Sequence, residues 1–315
     1  MRLLPILMAL ACAALAQEPV AGTPYTRYRT IDRFHRNITF YLDGDQTTPL
    51  PIVLSILGSG AYSNFIQRGD RTLDAHRTTR EVFAGKAHIL IVEKPGVEFL
   101  EQHPNRGTAV DGSAEFRREH TLERWAEAVS ASLQAAWAMP LADHRRCLLV
   151  GHSEGAIVAA RVAAQNPFVT HVASLAGAGP TQLYDLLESA RAQPDPDQAV
   201  AQLLAKVAGI ENDPDNPDKF FLGHPYRRWS SFWNSSTLEE LLHSKARIFI
   251  AQGTADQNVS VTGFDMLFAT LLSKGRDVTS RRIAGADHGF GFEGQPGRDG
   301  WREIWEGVRD WFLDR

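Results

Sequence analysis

The chain has 315 residues and a formal net charge of −4 at pH 7, and 43% of its residues are hydrophobic. This composition is typical of one folded globular domain with a large core, and it excludes a disordered or fibrous chain. A mildly acidic chain without basic runs also offers no electrostatic surface for nucleic acid or anionic membranes. The oligomeric state cannot be predicted from these features.

The N-terminal segment, residues 1–16, has the pattern of a signal peptide. Met1 and Arg2 give a positive start, Leu3–Leu15 is apolar, and Ala14-Leu15-Ala16 resembles a cleavage site. The apolar run is shorter than the roughly 20 residues that span a bilayer. We therefore expect an exported protein, periplasmic or secreted, without stable membrane insertion after cleavage. The alternative is a buried N-terminal helix.

Cysteine content is compatible with this interpretation. The two cysteines are Cys12, inside the predicted signal, and Cys147. The mature chain then has one thiol and no internal disulfide. We interpret Cys147 as a small buried hydrophobic residue. Lipidation of Cys12 remains an open alternative.

Apolar runs alternate with helical patterns along the rest of the chain. The predicted strands are 50–57, 88–93, 146–150, 171–176, 246–252 and 278–283. The middle four are continuous rather than alternating, which is typical of strands buried on both faces. Apolar residues at helical spacing predict a helix over 121–138 behind a Thr121 cap. The alternation predicts an α/β fold, a mostly parallel central sheet with helices on both faces. Functional loops are expected beyond the carboxyl ends of its strands.

One such end carries the motif Gly151-His152-Ser153-Glu154-Gly155. A strand precedes it and a small-residue helix follows, as the G-x-S-x-G nucleophile turn requires. Side chains at the two glycine positions would collide with the crossing strand and helix. Because helix N-terminal amides point at the serine, the Glu154 amide is predicted to stabilise an oxyanion. A chance match of five residues is the alternative.

A serine nucleophile needs a histidine base, and the base needs an orienting acid. His288 follows the last predicted strand, in the loop Ala284–Gly289. Asp256 follows the strand before it, in the loop Gly-Thr-Ala-Asp. The order Ser153, Asp256, His288 is the order that this motif predicts for a catalytic triad.

Other histidines and acids are weaker candidates for the base and the orienting acid. His152 adjoins the nucleophile and is interpreted as packing beside the turn, while Asp287 adjoins His288 and therefore points elsewhere. Glu93 and Glu98 end a predicted strand and are interpreted as a solvated rim. Four more histidines lie in charged or polar stretches that we interpret as solvated: His35, His76, His144 and His243.

These three motifs, GHSEG, GTAD and GADHGF, together resemble the α/β-hydrolase superfamily over most of residues 28–315. Within it the sequence is most similar to dienelactone-hydrolase-like and prolyl-oligopeptidase-type catalytic domains. The resemblance implies an α/β-hydrolase fold with a serine-dependent acyl-transfer mechanism. It also implies that the loop Gly58–Tyr62 supplies the second oxyanion amide, with Ser59 as the first choice and Gly60 as the second.

The loop Gly58–Tyr62 has a further possible interpretation, a phosphate-binding loop. It lacks the third glycine of a dinucleotide motif and any Gly-Lys-Ser/Thr. We therefore expect no cofactor and no metal.

A long segment, residues 181–245, separates two predicted strands and exceeds a usual connection. In the hydrolase domain 17–315, the resemblance implies that this segment is a lid over the site. Tyr62, Trp229 and Trp233 are predicted to contact substrate in an apolar pocket. The alternative is that the aromatic side chains pack the lid onto the body. The aromatic residues concerned in the lid are Phe220, Phe221, Tyr226, Trp229, Phe232 and Trp233.

The motifs predict an exported serine hydrolase that cleaves carboxylic esters through an acyl-enzyme. A serine peptidase of the aminopeptidase or oligopeptidase type, or a thioesterase, would use the same residues, so the partner is a small-molecule ester or peptide. From another class, a binding protein with a vestigial triad remains an alternative.

Overall fold

The computed structural model describes residues 17–44, 47–177 and 179–314. The predicted signal peptide, residues 1–16, lies outside the described residues, so export stays a prediction. Within the described ranges, no helix combines the length and hydrophobicity needed to cross a bilayer.

The described secondary structure alternates strands and helices along most of the chain. The strands are β1 (Glu18–Pro19), β2 (Tyr25–Ile31), β3 (Asn37–Asp43), β4 (Leu50–Ile56), β5 (Phe65–Arg68), β6 (Arg71–Asp74), β7 (His88–Val92), β8 (Ala142–His152), β9 (His171–Leu175), β10 (Phe220–Phe221), β11 (His224–Pro225), β12 (Arg247–Gly253) and β13 (Val278–Ile283). The helices are α1 (Arg77–Phe83), α2 (Ala114–Glu119), α3 (Leu122–Trp137), α4 (Glu154–Gln165), α5 (Gln182–Arg191), α6 (Pro196–Glu211), α7 (Tyr226–Trp233), α8 (Thr237–His243), α9 (Val261–Ser273) and α10 (Gly300–Leu313).

Nine of the described strands form one sheet in the order β1-β2-β3-β7-β4-β8-β9-β12-β13. From β7 to β13 all neighbours are parallel. These parallel strands are the six that the hydrophobic runs predict, so the predicted α/β fold with a mostly parallel sheet is confirmed. The antiparallel strands β1, β2 and β3 extend one edge and were not predicted.

Successive side chains point to opposite sides of a sheet, and both faces are buried in the parallel strands β4, β7, β8, β9 and β12 but not in the edge strand β13. On one face Leu54 and Leu149 pack in a core with α3 and α4. On the other face Val53 and Val150 share a core with Trp305 of α10. The continuous apolar runs follow directly from this two-sided burial. Cys147, a free thiol, is fully buried in the first core.

Helix α3 shows how the local sequence specifies an element. Thr121 caps its first turn, since the hydroxyl accepts a hydrogen bond from the Arg124 amide at 3.3 Å. The apolar side chains Leu122, Trp125 and Val129 recur at helical spacing and are buried against the sheet. The predicted helix over 121–138 is therefore confirmed within one residue at each end.

The segment between β9 and β12 contains α5, α6, the β10–β11 hairpin, α7 and α8. Helix α8 packs on α4 of the body, and α7 contacts α3, α5 and α6. A small separate core joins Ile210, Trp229 and Trp233 inside the segment. We call residues 181–245 the insertion from here on.

Candidate active site

Ser153 lies at the sharp turn between β8 and α4, with φ 56° and ψ −124°. A positive φ is strained for any residue with a side chain. A Cβ atom on Gly151 would lie 2.0 Å from the carbonyl oxygen of Gly155, and one on Gly155 would lie 2.4 Å from that of Ile56. Glycine at both positions therefore allows the backbone to cross closely and present the serine.

His288 and Asp256 come together from the loops after β13 and β12. His288 Nδ1 donates to Asp256 Oδ2 at 2.8 Å, and the amides of Asn258 and Val259 donate to Oδ1 at 2.7 and 3.1 Å. Burial raises the pKa of Asp256, but the hydrogen bonds from His288 and the two amides outweigh burial and leave that pKa below its usual value. An ionised Asp256 accepts a hydrogen bond from Nδ1–H, which leaves Nε2 as the ring nitrogen of His288 that can accept a proton.

Ser153 and His288 line one cavity of about 480 Å³ at the carboxyl ends of the strands. The insertion closes part of it, because α5, the hairpin and α7 all contribute side chains. The other lining residues are Ser59, Arg106, Gly107, Thr108, Glu154, Ile157, Gln182, Asp185, Leu186, Ser189, Leu222, His224, Arg228, Trp229, Gln257, Asn258 and Val259. Polar groups on several of these side chains make the cavity more polar than the predicted aromatic pocket.

His152 packs beside the turn, as the sequence suggests. Its ring lies 4.9 Å from the ring of His288 and 5.1 Å from that of Trp301, between ring centres. His152 Nε2 donates to the His288 carbonyl oxygen at 2.8 Å. Burial lowers the pKa of His152 to about 4. It is therefore neutral near pH 7 and supports the His288 loop.

Glu154, the first residue of α4, is buried with its carboxylate among three basic side chains. Arg228 of α7 donates to Oε2 at 2.7 and 3.0 Å, and His120 Nε2 donates to Oε1 at 2.8 Å. Lys94 Nζ lies 3.9 Å from Oε1. Burial raises the pKa of Glu154, but His120 and Arg228 outweigh it and hold that pKa well below its usual range. At the start of α4 the Glu154 amide has no intrahelical acceptor.

The loop Gly58–Tyr62 lies against Ser153, since a Cβ on Gly58 would be 3.3 Å from that of Ser153. Ser59 lines the cavity, whereas Gly60 is not among the lining residues. This placement favours Ser59, the first choice, as the second amide donor. Gly60 has φ +110°, and a Cβ there would lie 2.7 Å from the amide nitrogen of Gly107.

The three aromatic residues that were predicted to contact substrate lie in three different places in the structure. Trp229 lines the cavity, and its Nε1 donates to the carbonyl oxygen of Phe221 at 2.6 Å. Tyr62 lines a neighbouring cavity instead. Trp233 packs in the core of the insertion and donates to Glu211 Oε1 at 2.9 Å. This favours the packing alternative for Trp233.

Two polar residues interpreted as solvated are buried, so those interpretations are wrong. Glu93 is 5% exposed and accepts hydrogen bonds from Ser63 Oγ and the Asn64 amide group. His76 is 2% exposed and lies between Ser55 Oγ and Asn64 Oδ1. Burial raises the pKa of Glu93 to about 7. The local charge pattern did not show that the segment after β4 folds over these side chains.

Sequence reasoning also missed Lys94, His120 and Arg228, the basic partners of Glu154. The only local signal was an acid at the start of a helix of small residues. Such a buried carboxylate needs counter-charges, but nothing in the sequence identifies which distant residues supply them.

Solved structures with a similar fold include esterases and peptidases. A carboxyl esterase from Bacillus coagulans has a TM-score of 0.60 at 15% identity, with 91% of this chain and 97% of the esterase covered. Est1E from Butyrivibrio proteoclasticus has a TM-score of 0.57 at 16% identity, with 93% and 98% covered. Dipeptidyl peptidase 4 from Porphyromonas gingivalis has a TM-score of 0.60 at 13% identity. That match covers 93% of this chain but only 36% of the peptidase.

Identities of 13–16% establish likeness of fold only. No curated protein matches the sequence. The profile of the alpha/beta hydrolase family matches residues 100–299, which include Ser153, Asp256 and the histidine loop. That match spans most of the chain, and it agrees with the parallel sheet and the serine turn between β8 and α4. The chain therefore belongs to the alpha/beta hydrolase family.

Proposed function

We propose that this protein is an exported serine hydrolase that cleaves carboxylic esters through an acyl-enzyme. The observation that carries the proposal is the hydrogen bond of 2.8 Å between His288 Nδ1 and Asp256 Oδ2, with His288 lining the same cavity as the strained Ser153. This arrangement supplies a nucleophile, a base and an orienting acid.

The reaction follows from these positions. Ser153 Oγ attacks the ester carbonyl while His288 Nε2 takes the hydroxyl proton, and Asp256 stabilises the imidazolium. The amides of Glu154 and Ser59 hold the oxyanion of the tetrahedral intermediate. The C–O bond to the alcohol then breaks as His288 returns the proton to the leaving oxygen. Water, activated by the same histidine, hydrolyses the acyl-enzyme and restores Ser153.

Full-length likeness to esterases supports an ester substrate. The fold matches cover 97% and 98% of the two esterases but only 36% of the dipeptidyl peptidase. Peptide and thioester cleavage use the same residues, so a substrate panel must include them. Export rests on the signal pattern of residues 1–16.

The test compares the wild type with Ser153→Ala and with a matched control, Ser273→Ala, whose serine is exposed on α9. We expect Ser153→Ala to lose about four to six orders of magnitude in turnover of p-nitrophenyl esters and to resist fluorophosphonate labelling. Ser273→Ala should match the wild type in both assays. Equal labelling of Ser153→Ala and the wild type would contradict the assignment of the nucleophile.

The same proteins are assayed with short-chain esters, long-chain esters, thioesters and aminoacyl amides. Highest kcat/KM on the oxygen esters is the expected result. Faster cleavage of the amides would favour a peptidase. A wild type inert to the whole panel and to fluorophosphonate would favour a binding protein.

A further inference from the structure

A buried lysine lies behind the loop Gly58–Tyr62, outside the predicted triad. Lys94 is 5% exposed. Its ammonium donates to the carbonyl oxygens of Gly58 at 2.6 Å and Gly60 at 2.9 Å, and lies 3.9 Å from Glu154 Oε1. Two of the three ammonium donors are therefore used by these carbonyls, and the carboxylate of Glu154 lies at ion-pair distance. Burying a lysine in this way costs free energy unless such partners compensate.

The two carbonyl contacts determine the orientation of the peptide groups in the loop Gly58–Tyr62. In a planar trans peptide the carbonyl and the following N–H point in opposite directions. At Gly60 the carbonyl faces Lys94, and the Ala61 amide points the other way, to the Thr108 carbonyl at 3.0 Å. The same rule at Gly58 directs the Ser59 amide away from Lys94. Among the described residues this amide donates no hydrogen bond, and Ser59 lines the cavity.

The carboxylate beside Lys94 belongs to the residue that supplies the other oxyanion amide. Glu154 follows Ser153 directly, and its side chain also takes two hydrogen bonds from Arg228 of the insertion. One buried group of charges thus contacts the serine turn, the loop Gly58–Tyr62 and the insertion. Such a group holds three segments that are distant in sequence in one relative position.

We propose that Lys94 is a positioning residue for the oxyanion hole, holding the Gly58 and Gly60 carbonyls so that the Ser59 amide faces the substrate carbonyl beside the Glu154 amide. This proposal rests on the proposed hydrolase function and deepens it. Lys94 is not among the residues that line the cavity with Ser153. It acts by preventing rotation of the Gly58–Ser59 peptide, because a rotated peptide would present a carbonyl oxygen to the developing oxyanion.

The first experiment measures Lys94→Met, which keeps the length of the side chain and removes its donors. Loss of one oxyanion donor lowers kcat by about 10²–10³, so we expect a kcat loss of that size on p-nitrophenyl acetate with KM little changed. Rates are normalised to active sites by fluorophosphonate labelling. Lys274→Met, an exposed lysine at the end of α9, is the matched control and should behave as wild type.

A trifluoromethyl ketone separates positioning from a merely structural role. Its tetrahedral adduct places an oxyanion in the hole, so the inhibition constant of Lys94→Met should rise in proportion to the loss of kcat/KM. If Lys94→Met loses thermal stability but keeps kcat per active site within threefold of wild type, Lys94 only supports the fold and the proposal is overturned.

The pH profile gives a second test that does not need Lys94→Met to fold. Burial lowers the pKa of Lys94 to about 8, and Glu154 opposes that shift. Above this pH the neutral amine binds the carbonyls less strongly than an ammonium, so kcat/KM of the wild type should decline. Among the described residues, the charged or titratable groups around the ammonium are Glu93, Glu154, Arg228, His120, His224 and Tyr62, whose ring centre lies 5.4 Å from Nζ.

Glu154→Gln removes the charge that keeps Lys94 protonated while retaining Lys94 itself. We expect the alkaline decline of kcat/KM to move to lower pH in this variant. A decline at the same pH in both enzymes contradicts the proposal. If the wild type neither cleaves esters nor reacts with fluorophosphonate, the proposed function and this inference are both overturned. If the wild type is active and Lys94→Met is unaffected, only this inference is overturned.

Discussion

Gly151 and Gly155 flank Ser153. They stand at the two points of the turn where neighbouring backbone segments pass very close to each other. A Cβ on Gly155 would meet the carbonyl oxygens of Ile56 and Leu57 at 2.4 and 2.6 Å. Both atoms belong to the backbone at the end of β4, which cannot move without disturbing the sheet. The strain at Ser153 is thus maintained by contacts that only glycine allows.

Gly155→Ala is therefore expected to lower the free energy of unfolding by about 1–3 kcal/mol or more, since overpacking against backbone forces shifts. The matched control is Gly209→Ala in α6, where an added Cβ meets nothing within 4 Å. That change should stabilise the protein by about 0.5–1 kcal/mol. Thermal melts of both variants measure the difference. Similar melting temperatures would show that the turn tolerates a side chain.

At the scale of elements, the insertion has a core side and a cavity side. Trp233 is 3% exposed in the core of the insertion, while Leu222 is 62% exposed and lines the cavity. Stability and substrate preference should therefore depend on different residues of the same segment. The sequence pattern alone did not separate them, because both lie in one aromatic-rich stretch.

Trp233→Ala is expected to cost about 3–5 kcal/mol of stability, without changing the KM ratio between butyrate and acetate esters. Leu222→Ala should leave the melting temperature close to wild type and raise KM for butyrate relative to acetate. Melting curves and steady-state kinetics on both esters measure these effects. If Trp233→Ala changed the KM ratio and kept its stability, Trp233 would be a substrate contact, as the sequence predicted.

At the scale of the whole molecule, one buried acid joins the insertion to the body. Asp185 of α5 is 5% exposed, and its Oδ1 accepts a hydrogen bond from the Ser260 amide at the start of α9 at 3.1 Å. Its Oδ2 has no hydrogen-bond partner among the described residues. Burial raises the pKa of Asp185 from 3.8 to about 7. Between these two pH values the folded protein therefore keeps a proton on Asp185 that the unfolded chain releases.

The sign of the pH effect follows from linkage. A raised pKa contributes stability that is fully present below the unfolded pKa of 3.8 and is lost as pH rises through about 7. Asp185→Asn, which stays neutral, should thus melt several degrees above wild type at about pH 8 and close to it at about pH 4. Asp70→Asn, an exposed acid in the β5–β6 turn, should show no such difference. A melting-temperature change that is equal at both pH values would contradict a protonated Asp185.

Local sequence was sufficient for the parts of the fold whose physical cause lies within a few residues. Short β-rich runs, four of them continuously apolar, predicted the six parallel strands, and helical spacing behind Thr121 predicted α3. Strands β2 and β3 were missed; Arg27 and Arg29 interrupt the apolar residues of β2, whereas Tyr41 and Leu42 of β3 are buried. Near the edge of the sheet, β2 has Arg29 and Ile31 exposed, which explains its mixed polar pattern.

By itself the sequence determined the serine turn, because two glycines, a serine and the flanking strand and helix are all encoded within one short stretch. It also gave the order of Ser153, Asp256 and His288, since each follows a strand that ends at the same edge of the sheet. Only the tertiary structure decided that Glu154 meets Lys94, His120 and Arg228, and that Glu93 is buried. The partners of a buried charge are selected by distance in space, and up to 74 residues separate Glu154 from its partners along the chain.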